Sequence, residues 1–242
     1  MGYGKVLVPQ TFRSEDEMDY LASQLNECLK LKGLTKYYGL LPGFIHNINT
    51  PLMSISGRIE LIQFKHPEIS GVTQMLEQLE RLNGIVDNLK YMIEMDKEME
   101  PQEIKLDKFF IELDRFLHLN LTYKHKIKLS SEITPSLSLF TRPFNLLNVM
   151  YEVLNHCIIS MPSGGDIKLE ATRDSGKIKI VVMRTGDSIS MEQTQKLEQN
   201  NPDLELNQPY TGLIAAKLLI KKIGGKLTIS SNSSTTNYHI EL

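Results

Sequence analysis

The sequence is short of cysteine, short of net charge and free of long apolar runs, and each shortage narrows what it can be. Only Cys28 and Cys157 occur in 242 residues, far apart and without metal-ligand spacing. That excludes a disulfide scaffold and a cysteine-based metal site, and fits reduced thiols in a cytoplasmic protein. Basic residues number 27 against 29 acidic, a formal charge of -2, which gives no electrostatic footprint for nucleic acid. The charges are interspersed, so neither an acidic tail nor a basic arm stands out. No stretch of about 18 apolar residues is present, and no membrane span is expected. Residues Met1 to Gln10 carry one lysine and a short apolar patch, too little for a secretory signal. A chain of this length can bury one large core or two modest ones.

What is present begins with helical periodicity. Met18, Leu21, Leu25, Cys28 and Leu29 fall at helical spacing between Ser14, a candidate N-cap, and Gly33, a candidate terminator. A second helix is predicted from Thr35 to Lys65, with Leu41, Ile45, Ile48, Leu52, Ile55, Ile59 and Ile62 alternating steps of four and three. After the turn Lys65-His66-Pro67, a third runs from Ser70 to Glu98 on Val72, Met75, Leu79, Leu82, Val86, Leu89 and Ile93. Such seams belong to helices packed nearly parallel. A lone hairpin cannot cover both, so two copies pairing into a four-helix bundle is expected, with an intramolecular bundle using the first helix as the alternative.

Beyond the charged stretch Asp96 to Glu103 the pattern changes. A helix is predicted over Leu106 to Leu119, strands over Lys126 to Ile133 and Ser136 to Phe140, and a helix over Pro143 to Ser160. A hairpin follows, Asp166 to Thr172 and Lys177 to Met183. A helix from Gly212 to Ile223 stops at Gly224-Gly225, and the strands Lys226 to Ser230 and Thr236 to Leu242 close the chain. The class is α+β: a helical hairpin, dimeric in expectation, then an α/β sandwich. The domains read as 1–34, an N-terminal helical extension; 35–100, the hairpin; and 101–242, the sandwich.

The segment His46-Asn47-Ile48-Asn49-Thr50-Pro51-Leu52 is the most informative. With Ile45 and Ile48 turned inward, His46 stands beside the seam, where a ring nitrogen is free to act as nucleophile. Pro51 has no N–H, so the carbonyl of Asn47 loses its helical partner and the turn loosens. Thr50 lies four residues after His46, on the same face. His118, His125 and His239 lack metal-ligand spacing and read as surface or packing residues. The eleven methionines read as core filler.

The segment resembles the phosphoacceptor box of sensor histidine kinases, H-[E/D]-[I/L]-[R/N/K]-[T/N]-P-L, at His46, Ile48, Asn49, Thr50, Pro51 and Leu52. The resemblance covers about residues 35 to 242. It implies that His46 is phosphorylated and that the hairpin dimerises and docks a response-regulator receiver domain. The box departs from the family at Asn47, where the family's acid takes the imidazole proton during attack on ATP; an amide cannot accept it. Self-phosphorylation should suffer. Exchange with a receiver aspartate needs that acid less, because the receiver brings its own Mg²⁺ and acidic pocket. Thr50 matches the position that helps orient the hydrolytic water in family members with phosphatase activity, a task Asn47 could share.

The resemblance also places a nucleotide site in the second domain, with its ligand groups eroded. The two asparagines of the family's asparagine box become Glu152 and His156, with Asn155 one residue out of register. Glu152 could still serve as a hard Mg²⁺ ligand. The family's adenine-binding aspartate becomes Arg184 in Arg184-Thr185-Gly186-Asp187-Ser188, and arginine only donates hydrogen bonds. Of the glycine-rich run that holds phosphates, Thr211-Gly212-Leu213 survives, after a short, polar, glycine-poor lid between Met191 and Tyr210. The implied protein is a histidine phosphotransferase exchanging phosphate with receiver aspartates, with no cofactor of its own. The alternatives are an active sensor kinase that uses Mg-ATP at an atypical site, and a non-catalytic dimeric scaffold.

Overall fold

The computed structural model describes the backbone of residues 15–187, 189 and 210–242, and the side chains of these from residue 39 onward. Its contacts divide the chain into two units, one ending at Arg58 and the other running from Ile59 to Leu242.

The first unit consists of helix α1, Glu15–Lys65, whose last turns continue into the second. Gly33 was expected to end a separate helix, but α1 runs through it. Glycine stops a helix when it takes a left-handed conformation that closes the last carbonyls; inside a helix it costs only about 1 kcal/mol relative to alanine. Both Pro42 and Pro51 also lie within α1. Along the seam Ile45 and Leu52 are buried, whereas His46, Asn47 and Thr50 are exposed. Ser14, the candidate cap, lies outside the described residues.

In the second unit, α1 ends at Lys65 and a tight turn leads to α2, Val72–Lys97. The turn is closed by His66 N–H donating to the carbonyl of Ile62 and Ile69 N–H to that of His66. Gly71, at φ 91°, supplies the left-handed step into α2 that a side chain would resist. Gln63 Nε2 donates to Thr73 Oγ1 at 3.4 Å across this turn, completing a helical hairpin. The C-terminal half of α2 joins the α/β core: Met92 and Met95 are buried there. Asn88 Nδ2 donates to the carbonyl and to Oε2 of Glu112 at 2.7 and 2.8 Å, and Asp96 Oδ1 accepts from Asn148 Nδ2 at 2.8 Å. Packing therefore continues across the change of pattern near residue 100.

The sandwich comprises β1 Gln102–Lys105, α3 Leu106–Leu117, α4 Leu121–Lys126, β2 Ile127–Ile133, β3 Ser138–Thr141, α5 Pro143–Ile159, β4 Gly165–Asp174, β5 Lys177–Thr185, α6 Tyr210–Lys222, β6 Lys226–Ser231 and β7 Thr235–Glu241. Five strands form one sheet in the order β2-β4-β5-β7-β6, with β2 parallel to β4 and the other neighbours antiparallel. β1 and β3 pair separately and antiparallel. Neither β1 nor α4 is evident in the sequence. β1 offers one buried residue, Ile104, in a charged stretch, and α4 rests on an Asn120 side chain that accepts from the N–H groups of Thr122 and Tyr123.

The core follows the two periodicities. On β5 the inward set is Ile178, Ile180, Val182 and then Arg184. On β7 it is Thr236, Tyr238 and Ile240, with Tyr238 opposite Val182 and Thr236 opposite Arg184. On α5, Val149, Met150, Val153, Leu154, His156 and Cys157 are buried. Each large aliphatic side chain so removed from water stabilises the fold by about 1.5–3 kcal/mol. The period-two and helical registers also carry one arginine, one tyrosine and one histidine into that interior.

Candidate functional site

His46 lies on the exposed side of α1, next to buried Ile45. Thr50, one turn on, donates its hydroxyl to the carbonyl of His46 at 3.2 Å. The hydroxyl is thus held beside the histidine, in local competition with the helical ladder. Asn47 is exposed and precedes Pro51 by four residues, so its carbonyl lacks the i+4 N–H. The arrangement offers solvent an imidazole and a neighbouring amide and hydroxyl, with no carboxylate in the box.

The residues that the resemblance assigns to a nucleotide site converge in the second unit, around α5, α6, β5 and β7. Arg184 is 2% exposed and its Nε donates to Tyr238 Oη at 3.3 Å, while Nη1 donates to the carbonyl of Thr185. Tyr238 Oη lies 2.8 Å from Nδ1 of His156, which is also 2% exposed. The phenol oxygen accepts from Arg184 and shares a hydrogen bond with Nδ1 of His156, in a direction set by the ring tautomer. Nε2 of His156 is buried and has no hydrogen-bond partner. Burial, with the Arg184 charge adding to it, lowers the His156 pKa to about 4, so the ring is neutral. Cys157 is fully buried and its thiol is pushed up to about 12 by that burial, against the opposing pull of Arg184 and Tyr238. It is an inert thiol.

Tyr210 at the start of α6 places its ring 5.4 Å from that of His156, centroid to centroid. Two residues on, Gly212 lies against Glu152: a Cβ at 212 would overlap Oε2 of that carboxylate. Glu152 is half-buried, and the burial raises its pKa. Gly186, at φ 100°, follows the strand and is exposed; a Cβ there would lie 3.8 Å from Arg184 Nη1. Glu152, His156, Arg184 and Gly212 are therefore brought together, with Gly186 at the margin. Ser188 and nearly all of the lid fall outside the described residues.

Tyr238, Tyr210 and Cys157 were not assigned to the site from the sequence. Tyr238 could have been found, because its place between Thr236 and Ile240 on a period-two strand puts it on the inward face. The cluster turns buried donors on one another, with a carboxylate beside the first turn of α6. Among the described residues there is no group of three or more His, Cys, Asp or Glu placed to hold a metal ion. None of the described helices is long and apolar enough to cross a membrane.

No protein-family profile matches the chain. It is similar to sporulation kinase A of Bacillus subtilis (strain 168), with 22% identity over 219 residues, covering 86% of this chain and 35% of that protein. The chain thus spans about a third of that relative's length. Among solved structures, the catalytic domain of the histidine kinase ThkA in a nucleotide-free form aligns with a TM-score of 0.51 and 18% identity, over 60% of this chain and 95% of that one. Full-length ShkA in complex with AMPPNP aligns with a TM-score of 0.52 and 14% identity, over 83% of this chain and 44% of that one. The sandwich has the fold of a histidine kinase catalytic domain, and the family that this chain resembles in both sequence and fold is that of the sensor histidine kinases.

Proposed function

We propose that this chain is a two-component phosphorelay protein that carries a phosphoryl group on His46 and exchanges it with the aspartates of response-regulator receiver domains, with impaired or absent autokinase activity. The observation that carries this reading is the exposed His46 within a phosphoacceptor-like box whose next residue is an amide. In the forward step a ring nitrogen of His46 attacks the phosphorus of an aspartyl phosphate. A P–N bond forms, the P–O bond to the receiver breaks, and the aspartate leaves as a carboxylate. The second transfer is the reverse on another receiver. The remaining ring N–H proton passes to solvent, and returns from it in the second transfer. These steps therefore need the acid that Asn47 replaces less than attack on ATP does.

The residues of the second unit do not fit a nucleotide. Arg184 is a donor-only cation sunk into the core, and His156 is a neutral ring bonded to Tyr238. The sandwich then serves to hold a partner rather than to load phosphate. We propose the functional organisation 1–34, 35–100 and 101–242, in a cytoplasmic homodimer. Ile55, Ile62, Met75, Leu82 and Ile85 are 41–57% exposed on α1 and α2, the apolar remainder that a second copy would cover.

The test is transfer from a phosphorylated receiver domain, read as acid-labile label on the chain. Wild-type protein is expected to take label and pass it to a second receiver, and His46→Gln to take none. Label on His46→Gln would remove this assignment. Label acquired by wild type directly from Mg-ATP would favour an active kinase, and no label from any receiver would favour a scaffold.

A further inference from the structure

We infer that the cleft in which the relatives' fold places a nucleotide is filled from within by the protein's own side chains, with Arg184, Tyr238 and His156 at one end and the Glu152 carboxylate at the other. This deepens the reading of an impaired autokinase by naming what closes its site.

At the strand end the closure follows from register. Arg184 continues the inward set Ile178, Ile180 and Val182, so its side chain cannot turn to solvent without breaking the pleat. A guanidinium left in that interior unsatisfied would cost several kcal/mol, and here two of its nitrogens are bonded, one to a phenol and one to a backbone carbonyl. Tyr238 is 0% exposed and hands the chain on to His156, itself 2% exposed. Three polar side chains that point at one another leave no acceptor facing outward for a purine amino group. Nε2 of His156 is buried and without a partner, so it too is withdrawn from any ligand outside.

At the helix end, the Glu152 carboxylate rests on Gly212 in the first turn of α6. The carboxylate therefore fills the space beside that turn of α6. Gly212 has no Cβ, which lets the carboxylate approach that closely. Glu152 and His156 are one helical turn apart on α5, so a single helix closes both ends.

Two measurements test this separately from the relay. The first is calorimetric titration of wild type and of the Arg184→Asp/His156→Asn double variant with Mg-ADP. Wild type is expected to show no binding up to about 1 mM Mg-ADP, and the double variant to bind with a Kd of about 0.1 mM or tighter. Binding by wild type would overturn the inference, as would a folded double variant that gains nothing. The second does not depend on that variant folding. Gly212→Ala is expected to lower the melting temperature by about 5 °C, and adding Glu152→Ala to restore most of the loss. Purely additive losses would overturn the inference. Receiver transfer through His46, measured on the same proteins, reads the phosphorelay assignment independently: it fails if transfer is absent, whatever happens in the cleft.

Discussion

The phenol oxygen of Tyr238 on β7 stands 2.8 Å from Nδ1 of His156 on α5, and it is the same oxygen that accepts from Nε of Arg184 at 3.3 Å. One hydroxyl thus satisfies two buried partners. Tyr238→Phe would strand both while keeping the ring's packing. A loss of about 2–4 kcal/mol is expected, since each buried polar group left unpaired costs about 1–3 kcal/mol. Urea denaturation of the variant against wild type measures it, and a change below about 0.5 kcal/mol would mean the bonds contribute nothing.

His156 makes stability depend on pH in a definite direction. Its pKa is about 4 in the fold against 6.5 for an unperturbed ring. Between those values the unfolded chain binds a proton that the native chain refuses, so stability falls as pH drops through this window and levels off below it. The span corresponds to about 3 kcal/mol. Arg184, Tyr238 and Tyr210 face the ring without negative charge. The half-buried Glu152 one turn away works in the opposite sense, because burial raises its pKa and the native chain takes up a proton there as pH falls. Denaturation at about pH 7 and about pH 4.5 should show a smaller difference in His156→Asn than in wild type.

Asn47→Asp restores the acid beside the histidine without touching the cleft. If the second unit is closed to nucleotide, this variant gains no phosphohistidine from Mg-ATP above the wild-type background. An acid-stability assay of label from γ-labelled ATP checks it. A robust gain would show that only the missing base had silenced the kinase.

Thr50→Ala removes the hydroxyl held at 3.2 Å from the His46 carbonyl. On an exposed helix face this bond contributes little, so a stability change under about 0.5 kcal/mol is expected. The effect should appear instead in partner dephosphorylation, slowed several-fold, with transfer through His46 retained. Equal loss of both activities would indicate a general disturbance of the helix.

Much of the fold was legible because its periods are clean. The seam of α2, the β4–β5 hairpin and the closing α6–β6–β7 segment fall within about two residues of where the apolar spacing puts them. Gly33 misled because glycine's effect depends on the backbone angle it takes, which composition does not reveal. β1 was missed because one inward residue, Ile104, makes no alternation. In the site, the exposure of His46 followed from its place beside Ile45. The donor-only chemistry of Arg184 was legible too, but its burial was not weighed. The strand alternation that runs through Ile178, Ile180 and Val182 already implied it. What no local pattern could supply was the partner, since Tyr238 lies 54 residues further along the chain.

Pro42 and Pro51 each remove a rung from the hydrogen-bond ladder of α1, one on either side of His46. A stretch bounded by two missing rungs is softer in torsion than the turns above and below it. Torsion across that stretch would be taken up as local over- or underwinding, turning the imidazole around the helix axis. Torsional compliance on both sides of the imidazole is therefore written into α1 by its two prolines.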